Sequence, residues 1–254
     1  MNKKTVEIFW TGGYDSTFRV VQLSRMDITV QPYYLSDNRT NEKYEVGAIE
    51  KITQLIRNHP DTKAEILPAI YISVEDRSAS QPYIKDAYKR IFDKNWLGNQ
   101  YVWLADFAVE HPGVELSIEK GTNPVNLINK NGGFKKCSDS EIGDYYVVDR
   151  DITDPDYYAL FGNFSIPLLE LSKLDMKEFF MTHGYEDVMK ATWFCHKPVN
   201  GKPCGQCNPC KGVVEEGMAE RLDDEALKRY RKAKVIDKLK ATPIFKLAKK
   251  ILRR

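Results

Sequence analysis

Residues 5–25 read TVEIFW–TGGYDS–TFRVVQLSR, and this stretch decides the fold. Thr5 to Trp10 is a short apolar, β-branched run, the pattern of a buried strand. Phe18, Val21 and Leu23 then stand where one face of a helix packs. Between them lies Thr11-Gly12-Gly13-Tyr14-Asp15-Ser16. Two glycines let a backbone approach an anion closely and adopt conformations closed to other residues. The amides of such a turn and of the new helix converge on one spot, with the helix dipole behind them. Thr11 and Ser16 add hydroxyl donors, so the turn suits a pyrophosphate. It is neither a Walker A loop, whose Gly-x-x-x-x-Gly-Lys-Ser/Thr spacing is absent, nor a Gly-x-Gly-x-x-Gly dinucleotide fingerprint. The structural alternative is a glycine turn capped by Asp15 or Ser16.

Outward from this unit the alternation continues. Residues 29–35 predict a second strand. Residues 42–57 predict a helix, with Val46, Ile49, Ile52, Leu55 and Ile56 at helical spacing. Residues 65–74 predict a third strand, 83–92 and 101–110 helices, and 114–118 a fourth strand. Residues 120–156 break the rhythm and read as a long loop. A short strand at 163–169 and a helix at 175–183 follow. Residues 190–210 form a cysteine loop, 213–240 one or two helices, and 244–254 a basic amphipathic helix. The order predicts an α/β fold with a parallel sheet covered by helices on both faces.

The 254 residues are 42 % hydrophobic and 29 % charged, enough apolar material for one large domain with an appendage. No run approaches the roughly 18 apolar residues that cross a bilayer. No apolar region of signal-peptide length follows the first residues, so a cytoplasmic address is expected. The net charge of +2 hides an asymmetry: residues 228–254 carry twelve Lys or Arg and one acid, Asp237, leaving a mildly acidic body. An acidic body argues against a broad nucleic-acid face. The basic tail is expected to dock on the body or on a second subunit, ahead of contact with an anionic membrane or a nucleic acid.

Four of the five cysteines, Cys195, Cys204, Cys207 and Cys210, fall within sixteen residues as C-x8-C-x2-C-x2-C. In a reducing compartment such clustering predicts a metal site rather than disulfides. Four thiolates favour Zn2+ in a closed, structural shell, with an iron–sulfur cluster as the alternative. Cys137 stands alone and reads as an incidental thiol.

The turn resembles the PP-loop of ATP pyrophosphatases, Ser-Gly-Gly-x-Asp-Ser, with Thr11 keeping the hydroxyl of the first serine. Ile166-Pro167-Leu168-Leu169-Glu170-Leu171-Ser172-Lys173 resembles the Pro-Leu-x-x-Leu-x-Lys segment of the same proteins. With Thr192-Trp193-Phe194-Cys195 and Cys204-Gly205-Gln206-Cys207-Asn208-Pro209-Cys210, the order is similar to the 7-cyano-7-deazaguanine synthase (QueC) family, a branch linked to queuosine biosynthesis. The resemblance implies an adenine-nucleotide alpha-hydrolase-like fold over residues 1–190, a zinc-binding segment at 191–219 and a basic helical tail at 220–254. It implies that ATP, with Mg2+, is split between the α and β phosphates as a carboxylate is adenylated. Ammonia then gives an amide and a nitrile. On this basis Thr11, Gly12, Gly13, Tyr14, Asp15, Ser16 and Asp37 are expected at the nucleotide. Ser16, Asp15 and Lys173 are expected in catalysis, Lys173 neutralising the leaving pyrophosphate.

The middle of the chain departs from that pattern. Leu97-Gly98-Asn99-Gln100 stands where the family has Pro-Gly-Arg-Asn, and no Tyr-Pro-Asp-Cys-Arg region follows residue 118. The nucleotide half is kept and the acceptor half altered. The expected acceptor is a deazapurine-like small-molecule carboxylate, the expected assembly a homo-oligomer. The rival readings are a tRNA- or macromolecule-modifying transferase engaging Cys137 and the tail, and a non-catalytic nucleotide-binding partner.

Overall fold

The computed structural model describes residues 3–75 and 81–241. It divides into two compact units, Met1–Trp193 and Phe194–Arg254. The basic segment at 244–254 lies outside the described residues.

The first unit is built on a parallel sheet. Strand β1 (Thr5–Phe9) pairs with β2 (Thr29–Ser36), and β2 pairs with β3 (Glu65–Ile66) and β4 (Ile70–Ser73), all parallel. The expected third strand is therefore split at Leu67-Pro68-Ala69. Along β2 the odd residues bond towards β1 (Thr29 N–H to Lys4 O, Trp10 N–H to Tyr33 O). The even ones face the third strand, where Val30 O accepts from Leu67 N–H. Pro32 is even, so its missing donor falls on the third-strand side, and Pro68 supplies none in return.

On the other flank of β1 the expected fourth strand shrinks to one bridge on each side. Glu115 pairs in parallel with Ile8 and with Ser165. The 163–169 strand likewise reduces to bridges at Ser165 and Ile166. The chain thus runs from β1 outwards to β2 and the third strand, then returns across β1 to Glu115 and Ser165.

Both faces of the sheet are covered, which is why Val6, Ile8 and Phe9 of β1 and Val30, Tyr33, Tyr34 and Leu35 of β2 are buried apolar residues. Ile8, Val30 and Tyr34 face the layer of α1 (Tyr14–Ser24), α2 (Glu42–Arg57), α7 (Lys173–Thr182) and α8 (Glu186–Ala191). Tyr34 Oη donates to Glu45 of α2 at 2.7 Å. Phe18 of α1 meets Phe179 and Phe180 of α7 edge-on, at 5.3 and 5.5 Å. The other layer holds α3 (Pro82–Phe92), α4 (Gln100–Glu110) and α6 (Pro155–Phe161). There Phe9 and Tyr33 pack edge-on against Phe107 of α4, at 5.2 and 4.9 Å.

The long loop expected at 120–156 is mostly ordered structure. It contains α5 (Asn123–Lys130), an antiparallel hairpin of β5 (Phe134–Asp139) and β6 (Gly143–Val148), and the start of α6. Pro124 and Pro155 stand in the first turns of α5 and α6, where a missing N–H costs nothing. The Asp139 carboxylate accepts from Glu141 and Ile142 N–H at the hairpin turn, and Asp154 caps α6 through Asp156 N–H. These acids are turn and cap residues. Asp156 also holds Arg90 through two oxygens.

In the second unit α9 (Asn208–Glu215) starts inside the cysteine loop and carries Cys210. A short 3-10 turn (Ala219–Arg221) leads to α10 (Asp224–Ala241). None of the described helices is long and apolar enough to cross a membrane.

Arg19 of α1 and Glu115 are both almost fully buried and joined by two hydrogen bonds, Nε–Oε2 2.8 Å and Nη2–Oε1 2.7 Å. Glu115→Ala leaves a buried guanidinium unpaired and is expected to lower stability by about 3–5 kcal/mol. The double variant Arg19→Met/Glu115→Leu should recover most of that loss. Urea denaturation of the three proteins checks both outcomes.

Candidate nucleotide site and cysteine cluster

A parallel sheet whose strand order reverses opens a crevice at the carboxyl ends of the two strands flanking the reversal. Here the reversal lies between β1 and the 114–118 segment. The turn at residues 11–16 leaves the carboxyl end of β1, and Glu119 leaves that of its neighbour.

Gly12 has φ +67°. A Cβ there would stand 2.8 Å from the Glu45 carbonyl oxygen and 3.0 Å from the Ala48 side chain, so the turn presses onto α2. Gly13 is the N-cap of α1, in extended conformation, and no side chain caps the helix. The first-turn amides of an α-helix, here on residues 14–16, have no acceptor within the helix itself. Ser16 is buried in that turn, and Thr11 is half-buried. Trp10 packs in the core and donates from Nε1 to Thr17 Oγ1 at 2.9 Å. From the far end of the unit, Trp193 N–H donates to Gly12 O at 2.9 Å. Its ring stacks on Tyr44 of α2 at 4.6 Å.

Lys173 is the first residue of α7, set by a capping box between Ser172 and Asp175. Its Nζ binds the Asp15 carboxylate and the Glu119 carboxylate (2.9 Å), and lies 5.8 Å from the centre of the Tyr14 ring. Tyr14 Oη reaches Lys173 O at 3.4 Å. The structure therefore brings Lys173 together with Tyr14 and Asp15, 159 and 158 residues away in the chain. It adds Glu119, to which the sequence reading gave no role. The available signal was an acid directly after a strand at the order reversal.

Burial works against the Lys173 charge, but Asp15 and Glu119 outweigh it and hold its pKa above the ordinary lysine value. Burial first, and Asp15 second, push Glu119 above the ordinary carboxylate value, while Lys173 pulls it back. Asp37 follows β2 at the same edge of the sheet, where it accepts from Arg39 Nε at 2.6 Å. No contact among the described residues joins it to the Lys173 group.

The second unit gathers Cys195, Cys204, Cys207 and Cys210, with all four Sγ atoms within 4.8 Å of one another. Cys204 and Cys210 Sγ are 3.8 Å apart, Cys195 and Cys207 Sγ 3.9 Å. The edge of a tetrahedron around an ion at Zn–S distance is about 3.8 Å, so the four sulfurs fit zinc. Backbone N–H groups of Cys204, Gln206 and Cys207 point at Sγ atoms at 3.2–3.3 Å. Donation from Cys210 lowers the Cys207 thiol to about 4, whereas burial raises Cys195 to about 11. Gly205, at φ +74°, lets the loop touch α10. A Cβ there would stand 2.0 Å from Ala226 O. Arg229 of α10 donates to Cys204 O (2.9 Å) and Pro203 O (3.3 Å). His196 is exposed and outside the cluster, and Cys137 lies half-buried on β5 opposite Tyr145.

No protein-family model matches the chain. Two curated proteins named 7-cyano-7-deazaguanine synthase are similar to part of it. They come from Leptospira biflexa serovar Patoc, strains Patoc 1 / Ames and Patoc 1 / ATCC 23582 / Paris. Each is 40 % identical over 58 residues, 21 % of this chain and 23 % of the relative. The chain thus spans less than a quarter of the length of the curated relatives it matches.

Glu119 gives this site a pH signature. A carboxyl held above its ordinary value in the folded chain favours folding below that value, and the contribution is lost as pH rises through the folded pKa. Lys173→Met removes the cation that opposes this shift. The stability lost relative to the unaltered protein should therefore be larger at pH 8 than at pH 5, as read from denaturation midpoints at the two pH values.

Proposed function

We propose that the chain is an ATP-dependent enzyme of the PP-loop ATP pyrophosphatase class, which adenylates a carboxylate and releases pyrophosphate. The observation that carries this reading is the convergence at the strand-order reversal of an uncapped helix start behind two glycines and a buried lysine held by two acids. Short similarity to 7-cyano-7-deazaguanine synthase supports ligase chemistry, with ammonia as the nucleophile and a deazapurine-like acid as the acceptor class.

In this reading the amides of residues 14–16, with Thr11 and Ser16 hydroxyls, cradle the phosphates. The backbone of Gly12 and Gly13 allows the approach. Lys173 stands ready for the charge that gathers on departing pyrophosphate. Its present partners hold it in position and fully charged until an anion competes for it. Asp15 and Glu119 are hard oxygen donors of the kind Mg2+ takes alongside phosphate oxygens. Asp37 marks the side of the crevice towards β2, where a ribose or adenine would lie. Zinc held by the four cysteines would supply no reaction step. A closed four-sulfur shell has no open position, and its work is to fold the loop.

Two experiments test the reading. Labelled ATP with magnesium is followed with and without 7-carboxy-7-deazaguanine and ammonium, separating AMP plus pyrophosphate from ADP plus phosphate. Acceptor-dependent AMP is expected, falling by roughly 100-fold or more in Lys173→Ala. ADP, or no turnover by folded protein, would sink it. Separately, Cys207→Ser is expected to bind less than one zinc per chain and to lower the melting temperature, checked by metal analysis and calorimetry. Unchanged metal content and melting would remove the zinc assignment.

A further inference from the structure

The hairpin joins the sheet where Tyr146 of β6 bridges Ile166 in antiparallel sense. β5 is therefore the outer strand on that side. It runs Phe134-Lys135-Lys136-Cys137-Ser138-Asp139 in unbroken register against β6, with neither proline nor bulge. Which of its backbone groups point outwards follows from the ladder. In an antiparallel pair, residues that exchange hydrogen bonds alternate with residues that do not. Asp149 N–H donates to Gly133 O at 3.0 Å, one step beyond the Phe134–Val148 pair. Lys135, Cys137 and Asp139 thus bond to β6. Tyr146 fits the same phase, since its N–H and C=O go to Ile166 on the far side. Phe134, Lys136 and Ser138 direct their backbone N–H and C=O away from β6, and no described residue bonds to those groups.

Lysines on an outer strand normally repel a partner strand. Here one of them is already neutralised, because Lys136 Nζ is held by Asp144 of β6 at 2.7 Å. Lys135 is exposed and has no ion pair among the described residues. An acid on a facing strand would satisfy it, and β5 itself carries one. In an antiparallel pair of two β5 strands, outward-facing residues must meet outward-facing residues. An axis at Lys136 would set two lysines against each other. An axis at Cys137 lets Lys136 and Ser138 exchange main-chain bonds with Ser138 and Lys136 of the other copy. Lys135 then lies across from Asp139 of the second copy in a non-bonded pair, where side chains are closest. Asp139 also holds Lys4, so Lys135 joins an existing ion pair. We propose that β5 is the surface by which two copies of this chain associate, strand to strand, about a two-fold axis at Cys137. Such pairing satisfies the outward groups of both copies at once, so the assembly closes as a dimer. The inference is independent of the nucleotide reading.

Sedimentation velocity of the full chain over a concentration series tests it. Lys136→Pro removes an N–H that the hairpin does not use, so β6 keeps its pairing while the second copy loses a bond. Lys135→Glu sets an acid opposite Asp139 and leaves the backbone untouched, which keeps the test sound if the proline unsettles the hairpin. The unaltered protein is expected to sediment as a dimer, and each variant to associate about tenfold more weakly or worse. The two Cys137 Cα atoms in a non-bonded pair would stand about 4.5 Å apart, within the span of a disulfide. Diamide is therefore expected to link the dimer covalently, and Cys137→Ser to abolish that link without dissociating the dimer. A monomer at every concentration overturns the proposal. So does a dimer that both charge and proline variants leave intact, or one that diamide does not link through Cys137.

Discussion

The pairing of Arg19 with Glu115 is the contact on which the geometry of the first unit turns. Glu115 sits at the one position where the returning chain touches β1 on one side and the Ser165 segment on the other. Arg19 lies in the second turn of the helix that starts at the glycine turn. A guanidinium and a carboxylate this deeply buried tolerate little displacement, because each is the other's replacement for water. The pair therefore ties α1 to the neighbouring segment of the sheet and sets how far the helix start stands from the strand ends. Arg19 also donates to Ile142 O, at the hairpin turn, so the same cation anchors β5 and β6.

Much of this was legible in the sequence because the informative signals are local. A β-branched run, a glycine pair and a helical stripe within 21 residues announce β1, the turn and α1. The apolar spacing of 42–57 announces α2 with the same bounds. The cysteine spacing announces the cluster, since loop lengths alone bring the sulfurs together. Failures came where long-range partners decide. Residues 114–118 have the composition of a strand, yet they pair only through Glu115, because Ser117 turns the chain away. Residues 120–156 look loop-like because glycines, asparagines, acids and two prolines are scattered through them. Those same residues are helix starts, caps and a hairpin turn, and only their partners reveal the difference. Glu119 stayed silent because its meaning depends on Lys173, which arrives from another layer.

The two clusters differ in how they handle charge. In the first unit a cation and two carboxylates offset one another, and the cation can exchange a carboxylate for an incoming anion. In the second, four sulfurs close on a point and their backbone donors are already spent on them. Arg229 and the close approach at Gly205 hold the loop to α10 from outside. The first arrangement is poised for exchange and the second for permanence, which matches the division between chemistry and architecture proposed for them.

The break in the third strand has a consequence for the molecule among its neighbours in a crowded solution. An unfinished sheet margin offers free backbone donors and acceptors to any extended chain that passes. Here that margin is cut into pieces of two and four residues by a stretch that includes Pro68. A passing strand would find no long continuous ladder to zip onto, even though Ile70 and Tyr71 are exposed beside it. The same two prolines that cost the sheet its regularity keep one copy of the chain from becoming a template for the next.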